Sequence, residues 1–191
     1  MQFEVVWVDA FTTTPLAGNA CAVLVDARGL DDAAMLAIAR ETNLSETAFV
    51  FPSDVADFGV RYFMPVGEIP MAGHPTIATT HALRQVGKIA PDCDSITLHM
   101  PAGIIPMTIA RDETPVTYAM SQLPPIFLST RKRGAIAKAL GLRKRDLMAN
   151  VMPQVVSTGT PQLTANASAA RVGVPAASKL ALRGGPRRAI C

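Results

Sequence analysis

Cysteine is scarce in this chain of 191 residues. The three cysteines, Cys21, Cys93 and Cys191, are an odd number and form no C-x-x-C motif, which argues against a disulfide framework and against a structural zinc site. No apolar run approaches the ~18 residues that a membrane span needs. The first ten residues, MQFEVVWVDA, contain two acids and lack the basic start of a signal peptide. We therefore expect a soluble, cytoplasmic protein that holds no metal.

Acidic residues are missing from the C-terminal stretch. From Thr164 onward the chain has five basic residues and neither an acid nor an aromatic residue, whereas the preceding residues have 13 basic against 15 acidic residues. The stretch is rich in Ala, Arg, Gly and Pro and shows no sustained period of 2 or 3.6 residues. We interpret residues 164–191 as an atypical basic tail, which is either frameshifted or a disordered native terminus.

A second group of basic residues flanks a short predicted helix at residues 132–140. Its members are Arg131, Lys132, Arg133, Arg143, Lys144 and Arg145. Because no aromatic residue is interleaved with them, the pattern favours a solvated helix surface over a nucleic-acid patch.

Hydrophobic residues make up 49% of the chain and charged residues 17%, which is enough to bury a core. The segments FEVVWVDAF and NACAVLVDA predict strands. GLDDAAMLAIARETN predicts a helix that Asp31 or Asp32 caps and Asn43 ends. HPTIATTHALRQVGKI predicts a second helix, with Pro75 in its first turn.

The strand and helix pattern restarts after Pro124-Pro125, with the helix at 132–140 and a strand in QVVSTGTPQL. The restart faintly resembles the beginning of the chain, but too few residues remain for a second unit of the same size. We predict a first domain at residues 1–122 and the start of a second at 123–163, followed by the tail.

The motif Gly73-His74-Pro75-Thr76 lies where a loop enters the second predicted helix. The first amides of a helix attract anions and developing negative charge. The same field disfavours a second positive charge, so we expect a neutral His74 that exchanges a proton near pH 7. Alternatively, His74 only caps the helix and Gly73 only permits the turn.

Glu46 is an acid inside the apolar run NLSETAFVFP. If a strand covers residues 44–50, then Leu44, Glu46 and Ala48 share one face. Apolar neighbours of this kind suit a general base that removes a proton and returns it elsewhere. The alternative is an edge carboxylate paired with Arg40 or Arg61.

Other polar residues have open interpretations. The side chain of Asn19, after Gly18, binds a substrate or closes its own loop. Glu68 orients the imidazole of His74 or lies at the surface. Cys21 and Cys93 lack any cue for an activated thiolate, and we expect small buried residues.

The segments DAFTTTPLAGNACAVLVDARGLDDAAMLAIARETNLSETAFVF, VRYFMPVGEIPMAGHPTIAT and VVSTGTPQL, taken in this order, closely resemble the phenazine-biosynthesis PhzF family of isomerases. The resemblance covers residues 1–163. It implies an α/β (α+β) fold like that of diaminopimelate epimerase, in which two similar domains each curl a sheet around a central helix and the active site lies between them. On this basis the first domain is complete and the second is incomplete.

The resemblance also implies roles for single residues. Glu46 matches the catalytic acid/base and His74 the active-site histidine. Gly73 and Ser45 would line the same cleft. We count Asn19, Gly18 and Thr76 as further candidate substrate-binding residues. A cysteine often precedes the Gly-His pair in this family, and Ala72 stands there, so we expect no mechanism with two thiols.

We therefore expect a cofactor-independent, homodimeric isomerase that moves a proton between carbons of a small carboxylate-bearing substrate. The family prototype does this with trans-2,3-dihydro-3-hydroxyanthranilate. The Asp and the Gly-Ser helix start that the family's second domain supplies are not found in this sequence. The alternatives are a catalytically inactive, truncated product and a protein that binds a small molecule or RNA.

Overall fold

A computed structural model describes residues 2–167 and the backbone of residues 187–190. Most of the predicted tail at 164–191 lies outside these residues, so its origin stays an open prediction. The described chain divides into two compact units, the first reaching Gln122 and including strand 187–190, the second beginning at Leu123. The predicted domain extents, 1–122 and 123–163, remain predictions. Within the described residues, no helix has the length and apolar character required to cross a membrane.

Twelve strands and three α-helices make up the described chain. The strands are Val5–Ala10 (β1), Asn19–Leu24 (β2), Thr47–Phe51 (β3), Phe58–Met64 (β4), Gly67–Ile69 (β5), Ser95–Met100 (β6), Gly103–Ala110 (β7), Thr117–Met120 (β8), Ile126–Thr130 (β9), Gln154–Ser157 (β10), Pro161–Thr164 (β11) and Arg187–Ile190 (β12). The helices are Asp32–Thr42 (α1), His74–Gln85 (α2) and Arg133–Ala139 (α3).

The first unit is a mixed sheet that curls around α2. Its strand order is β1-β2-β3-β4-β6-β7-β8-β12, with β5 paired to β4. Nine of the twelve residues of α2 are buried, and the helix packs against β1, β2, β3 and β8. Because β1 and β8 lie near opposite ends of the strand order, contact with the same helix requires the sheet to bend around it. The predicted fold class, an α+β unit with a curled sheet around a central helix, is confirmed.

Helix α1 covers the outer face of this sheet. The side chain of Asp31 accepts a hydrogen bond from the amide of Ala34 at 2.8 Å, and Asn43 ends the helix in the left-handed region at φ 50°. Both caps are those that the sequence predicts. Below the helix, Phe49 and Phe63 pack edge to face with ring centres 5.5 Å apart, which joins α1 to β3 and β4 through a buried cluster.

The second unit holds a small sheet of order β11-β10-β9, helix α3 and a 3-10 helix at Lys144–Asp146. The prediction of one strand in QVVSTGTPQL is wrong, because the segment forms two antiparallel strands, β10 and β11. The chain reverses at Gly159, whose φ of 139° is a conformation that glycine adopts readily. The hydroxyl of Ser157 accepts the amide of Gly159 at 3.2 Å and supports this turn.

Candidate active site

The start of α2 lies beside open space at Gly73 and has no side-chain cap. Gly73 precedes the helix and has no side chain to cap it, and Pro75 occupies the first turn. The first amides of a helix lack partners within the helix and bind anions. A Cβ added to Gly73 would meet nothing within 4 Å, and the residue has φ −81°. Neither packing among the described residues nor backbone conformation requires glycine here, which is consistent with a glycine that leaves room for a ligand.

Glu46 lies immediately before β3, since that strand begins at Thr47 and not at Leu44. Thr47 faces α1, where its hydroxyl lies 2.8 Å from that of Thr42. Glu46 instead reaches the start of α2, and its Oε2 lies 3.5 Å from Nε2 of His74. The side chains of His74 and Glu46 are 9% and 19% exposed. The fold thus brings together the two residues that the family resemblance assigns to catalysis.

The two facing atoms are both hydrogen-bond acceptors. Among the described residues, neither Oε2 of Glu46 nor Nε2 of His74 has a hydrogen-bond partner, and both are buried. The backbone of Ala20 acts as an acceptor that raises the pKa of His74, and because Nε2 has no hydrogen-bond partner we assign the imidazole N–H to Nδ1. A neutral imidazole carries only one N–H, so Nε2 holds a lone pair towards Glu46. A proton bound between Oε2 and Nε2 would turn this contact into a hydrogen bond.

His74 is neutral at pH 7. Burial lowers its pKa below the ordinary value, and the Glu46 carboxylate and the hydrogen bond to Ala20 only partly offset this effect. The direction agrees with the neutral histidine that the sequence leads us to expect. The largest cause is desolvation, however, and not the field of the helix.

The alternative partners of Glu46 are engaged elsewhere. Arg40 donates to a backbone carbonyl at 2.9 Å. Arg61 bonds Glu68 and also Asp32 on α1, each at 2.7 Å. Glu46 is therefore not the edge carboxylate of an arginine pair. Glu68 likewise binds Arg61 and does not orient the active-site imidazole.

The candidate substrate-binding residues fall into two groups. Asn19 and Ser45 are exposed, as is Gly18, where a Cβ would lie 2.5 Å from the carbonyl oxygen of Ala10. Close packing of the turn therefore explains that glycine. Thr76 is completely buried, and its hydroxyl bonds to the carbonyl oxygen of Ala72 within the protein. Contact of these residues, and of Gly73, with a substrate stays a prediction.

Two further side chains near the start of α2 are buried. Cys21 is buried, as expected, whereas Cys93 is partly exposed, so the same expectation is wrong there. Burial raises the pKa of the Cys21 thiol to about 12, with a further contribution from the Glu46 carboxylate. This thiol is protonated at neutral pH. Tyr62 is also buried, and its Oη lies 2.8 Å from Oγ1 of Thr76. No sequence motif marks Tyr62; the one available signal is that a buried tyrosine hydroxyl usually needs a hydrogen-bond partner.

Metal-binding clusters are not found in residues 2–167, where no three His, Cys, Asp or Glu side chains lie close enough together to hold an ion. That the protein works without a cofactor remains a prediction.

Comparisons with known proteins place this geometry in a family. The sequence profile of the family described as "Phenazine biosynthesis-like protein" (PhzC-PhzF) matches residues 8–173. The trans-2,3-dihydro-3-hydroxyanthranilate isomerase of Pseudomonas fluorescens is 36% identical over 163 residues, which cover 83% of this chain and 57% of that protein. The chain spans about half the length of the curated relatives it matches.

Solved structures agree with the sequence match. A PhzF-family phenazine biosynthesis protein of Bacillus anthracis superposes with a TM-score of 0.75 at 33% identity, over 88% of this chain and 57% of that one. A probable proline racemase of Agrobacterium radiobacter K84 superposes with a TM-score of 0.57 at 14% identity, over 91% of this chain and 54% of that one. At 14% identity, the similarity to the proline racemase shows only that the two proteins share a fold.

Proposed function

The chain belongs to the phenazine biosynthesis-like PhzF family, and on this premise we propose that it acts as an isomerase in which Glu46 transfers a proton. The reaction moves a proton between carbons of a small substrate that bears a carboxylate. The observation that carries the proposal is the pair of buried, unpartnered atoms, Oε2 of Glu46 and Nε2 of His74, which face each other at 3.5 Å beside a helix start.

The proton balance of the reaction is closed. The Glu46 carboxylate removes a proton from one substrate carbon, and the electron pair of the broken C–H bond stays on the substrate as an enolate-like anion. Glu46 is then a carboxylic acid, and its O–H donates to the lone pair on Nε2 of His74. Return of that proton to a different carbon completes the isomerisation and regenerates the carboxylate.

The start of α2 supplies the complementary charge. The positive end of its helix dipole and the open space beside Gly73 suit the carboxylate of a substrate or the negative charge that develops on it. This arrangement supports a carboxylate-bearing substrate class.

Deuterium exchange tests the proposal. The 191-residue chain is incubated in D₂O with trans-2,3-dihydro-3-hydroxyanthranilate, the compound after which the Pseudomonas isomerase is named. Isomerisation and deuterium incorporation are followed by NMR. We expect Glu46→Gln to lower kcat by about 10²–10⁴-fold, with KM little changed. Glu68→Gln is the matched control, because that acid binds Arg61, and it should keep the wild-type rate.

Three results would count against this function. Equal rates in wild type and Glu46→Gln would remove Glu46 from the mechanism. Saturable binding of the same compound without deuterium incorporation would favour the alternative of a small-molecule-binding protein. Salt-sensitive RNA binding that is lost on deleting residues 164–191 would favour an RNA-binding protein.

The family resemblance also supports a cytoplasmic homodimer that needs no cofactor. Sedimentation equilibrium of the purified chain should then give twice its 20.2 kDa, and turnover should survive dialysis against a chelator. A monomeric mass, or loss of turnover on dialysis, would contradict these two points.

A further inference from the structure

A short series of hydrogen bonds ties β4 to the turn in front of α2. Oη of Tyr62 lies 2.8 Å from Oγ1 of Thr76, and Oγ1 of Thr76 lies 2.6 Å from the carbonyl oxygen of Ala72. Tyr62 and Thr76 have no exposed surface, and Ala72 is 7% exposed. The series therefore runs entirely through the interior.

The direction of both bonds follows from their chemistry. A carbonyl oxygen only accepts, so the single hydroxyl hydrogen of Thr76 points to Ala72. The hydroxyl of Tyr62 must then donate to Thr76. Burial raises the pKa of Tyr62 above its ordinary value, so the phenol keeps the hydrogen that this bond requires.

The bond from Tyr62 to Thr76 joins α2, which begins at His74, to β4, the strand that pairs with β3 just after Glu46. Tyr62 lies opposite Ala48 in the β3–β4 ladder, and Ala48 follows Glu46 by two residues. Thr76 follows His74 by two residues in the first turn of α2. A shift of either element would change the separation of Oε2 and Nε2.

The start of α2 has no cap of its own. Asp31 fixes the start of α1 through a side-chain bond to Ala34, whereas Gly73 offers no side chain to α2. The hydroxyl of Thr76 instead reaches back to the carbonyl of Ala72. The turn that presents His74 is thus held from within the helix and, through Tyr62, from the sheet.

We propose that Tyr62 is a positioning residue for the Glu46–His74 pair and that, acting through Thr76, its hydroxyl holds the turn in which Nε2 of His74 faces Oε2 of Glu46. The proposal rests on the proposed function for its catalytic meaning. Its geometric part can be tested without any turnover.

NMR titration of the histidines is the direct test, because the chain contains only His74, His81 and His99. In Tyr62→Phe the turn loosens and admits water, so the titration midpoint of His74 should move up towards the ordinary histidine value. His81 and His99 should titrate as in wild type. Thermal melting of each variant verifies that it is folded.

Substitutions at Thr76 provide the matched pair. Thr76→Val removes both bonds with little change in shape and should raise the midpoint of His74 as Tyr62→Phe does. Thr76→Val also tests the proposal if Tyr62→Phe fails to fold. Thr76→Ser keeps the hydroxyl and should restore the wild-type midpoint.

Tyr118→Phe controls for the loss of a buried tyrosine hydroxyl. Oη of Tyr118 lies 3.2 Å from Nδ1 of His81, so this variant should change the titration of His81 and leave that of His74 unchanged. The proposal is overturned if His74 keeps its wild-type midpoint in Tyr62→Phe and Thr76→Val. It is also overturned if all three histidines shift together in Tyr62→Phe.

A kinetic measurement separates this proposal from the proposed function. Whereas Glu46→Gln should lower kcat by about 10²–10⁴-fold, Tyr62→Phe should lower it by about tenfold while KM stays nearly constant, because a misplaced group affects the chemical step. Loss of turnover in Glu46→Gln together with wild-type kcat in Tyr62→Phe would refute the positioning role alone. Full activity of Glu46→Gln would refute the proposed function, and the histidine titration would still decide whether Tyr62 positions His74.

Discussion

Replacing Glu46 by glutamine should stabilise the fold while it removes the group that transfers the proton. In wild type, Oε2 of Glu46 and Nε2 of His74 face each other as two buried acceptors. Glutamine has the same shape and carries an amide N–H that can point to the lone pair on Nε2. The variant thus forms a hydrogen bond where wild type has none. It gains stability and loses activity, a trade-off that is common at functional sites.

The magnitude follows from the geometry. The gap between Oε2 and Nε2 is 3.5 Å, so a normal N–H···N bond requires a closure of about 0.5 Å. A net hydrogen bond contributes ~0.5–1.5 kcal/mol, and an unsatisfied buried polar group costs ~1–3 kcal/mol. Because the Glu46 side chain is 19% exposed, solvent already relieves part of that cost. We expect the free energy of unfolding to rise by about 1 kcal/mol, or Tm by about 2–4 °C for a chain of this size.

Urea unfolding at pH 8 measures this gain. At that pH His74 is neutral, since its folded pKa lies below the ordinary value, and Nε2 can accept. The gain should shrink as the pH falls through that pKa, because a protonated Nε2 donates to Glu46 in wild type and no longer accepts from glutamine. Glu46→Ala lacks the amide and should be less stable than wild type. A Glu46→Gln variant less stable than wild type by about 1 kcal/mol or more at pH 8 would refute the two-acceptor geometry.

Two further predictions concern the fold. Asp31→Ala should lower the free energy of unfolding by about 1 kcal/mol, because the amide of Ala34 loses its cap. Asp31→Asn keeps a hydrogen-bond acceptor and should lose little stability. Equal stability of Asp31→Ala and wild type in urea would contradict the capping role. The second prediction is that stability depends on pH. Burial lowers the pKa of both His74 and His81 in the folded chain. Below the ordinary histidine pKa of about 6.5, the unfolded chain therefore binds more protons than the folded chain. The free energy of unfolding should therefore fall as the pH drops from about 7 to about 5.5, and a rise over that range in urea titrations would show that these histidines are not buried as neutral groups.

Local signals account for what the sequence predicts well. Asp31 and Asn43 act on the backbone next to them, so their side-chain chemistry alone indicates both ends of α1. The turn at Gly159 is also local, but the sequence around it does not distinguish a turn from a continuous strand. The backbone conformation of Gly159 and the pairing of β10 with β11 show that the two strands are separate. Short strands such as β5 and β9 carry too few residues for a clear period.

The candidate site depends on contacts between distant residues. Glu46 and His74 are far apart in the chain, and no periodicity relates them; the family resemblance suggested that they share a site, and the structure places them in contact. Composition could not decide whether Arg61 pairs with Glu46 or with Glu68, because the choice depends on which face of β4 Arg61 occupies. The partner of Tyr62 could not be predicted either, because it depends on which side chain of α2 packs against β4.

Deuterium transfer tests the central claim, that Glu46 moves the proton, most directly. Wild type and Glu46→Gln are incubated in D₂O with trans-2,3-dihydro-3-hydroxyanthranilate, and the label on the substrate carbons is counted by NMR. We predict that wild type introduces deuterium at the carbon that receives the proton and that Glu46→Gln slows this by about 10²–10⁴-fold. Deuterium incorporation by Glu46→Gln at the wild-type rate would contradict the claim.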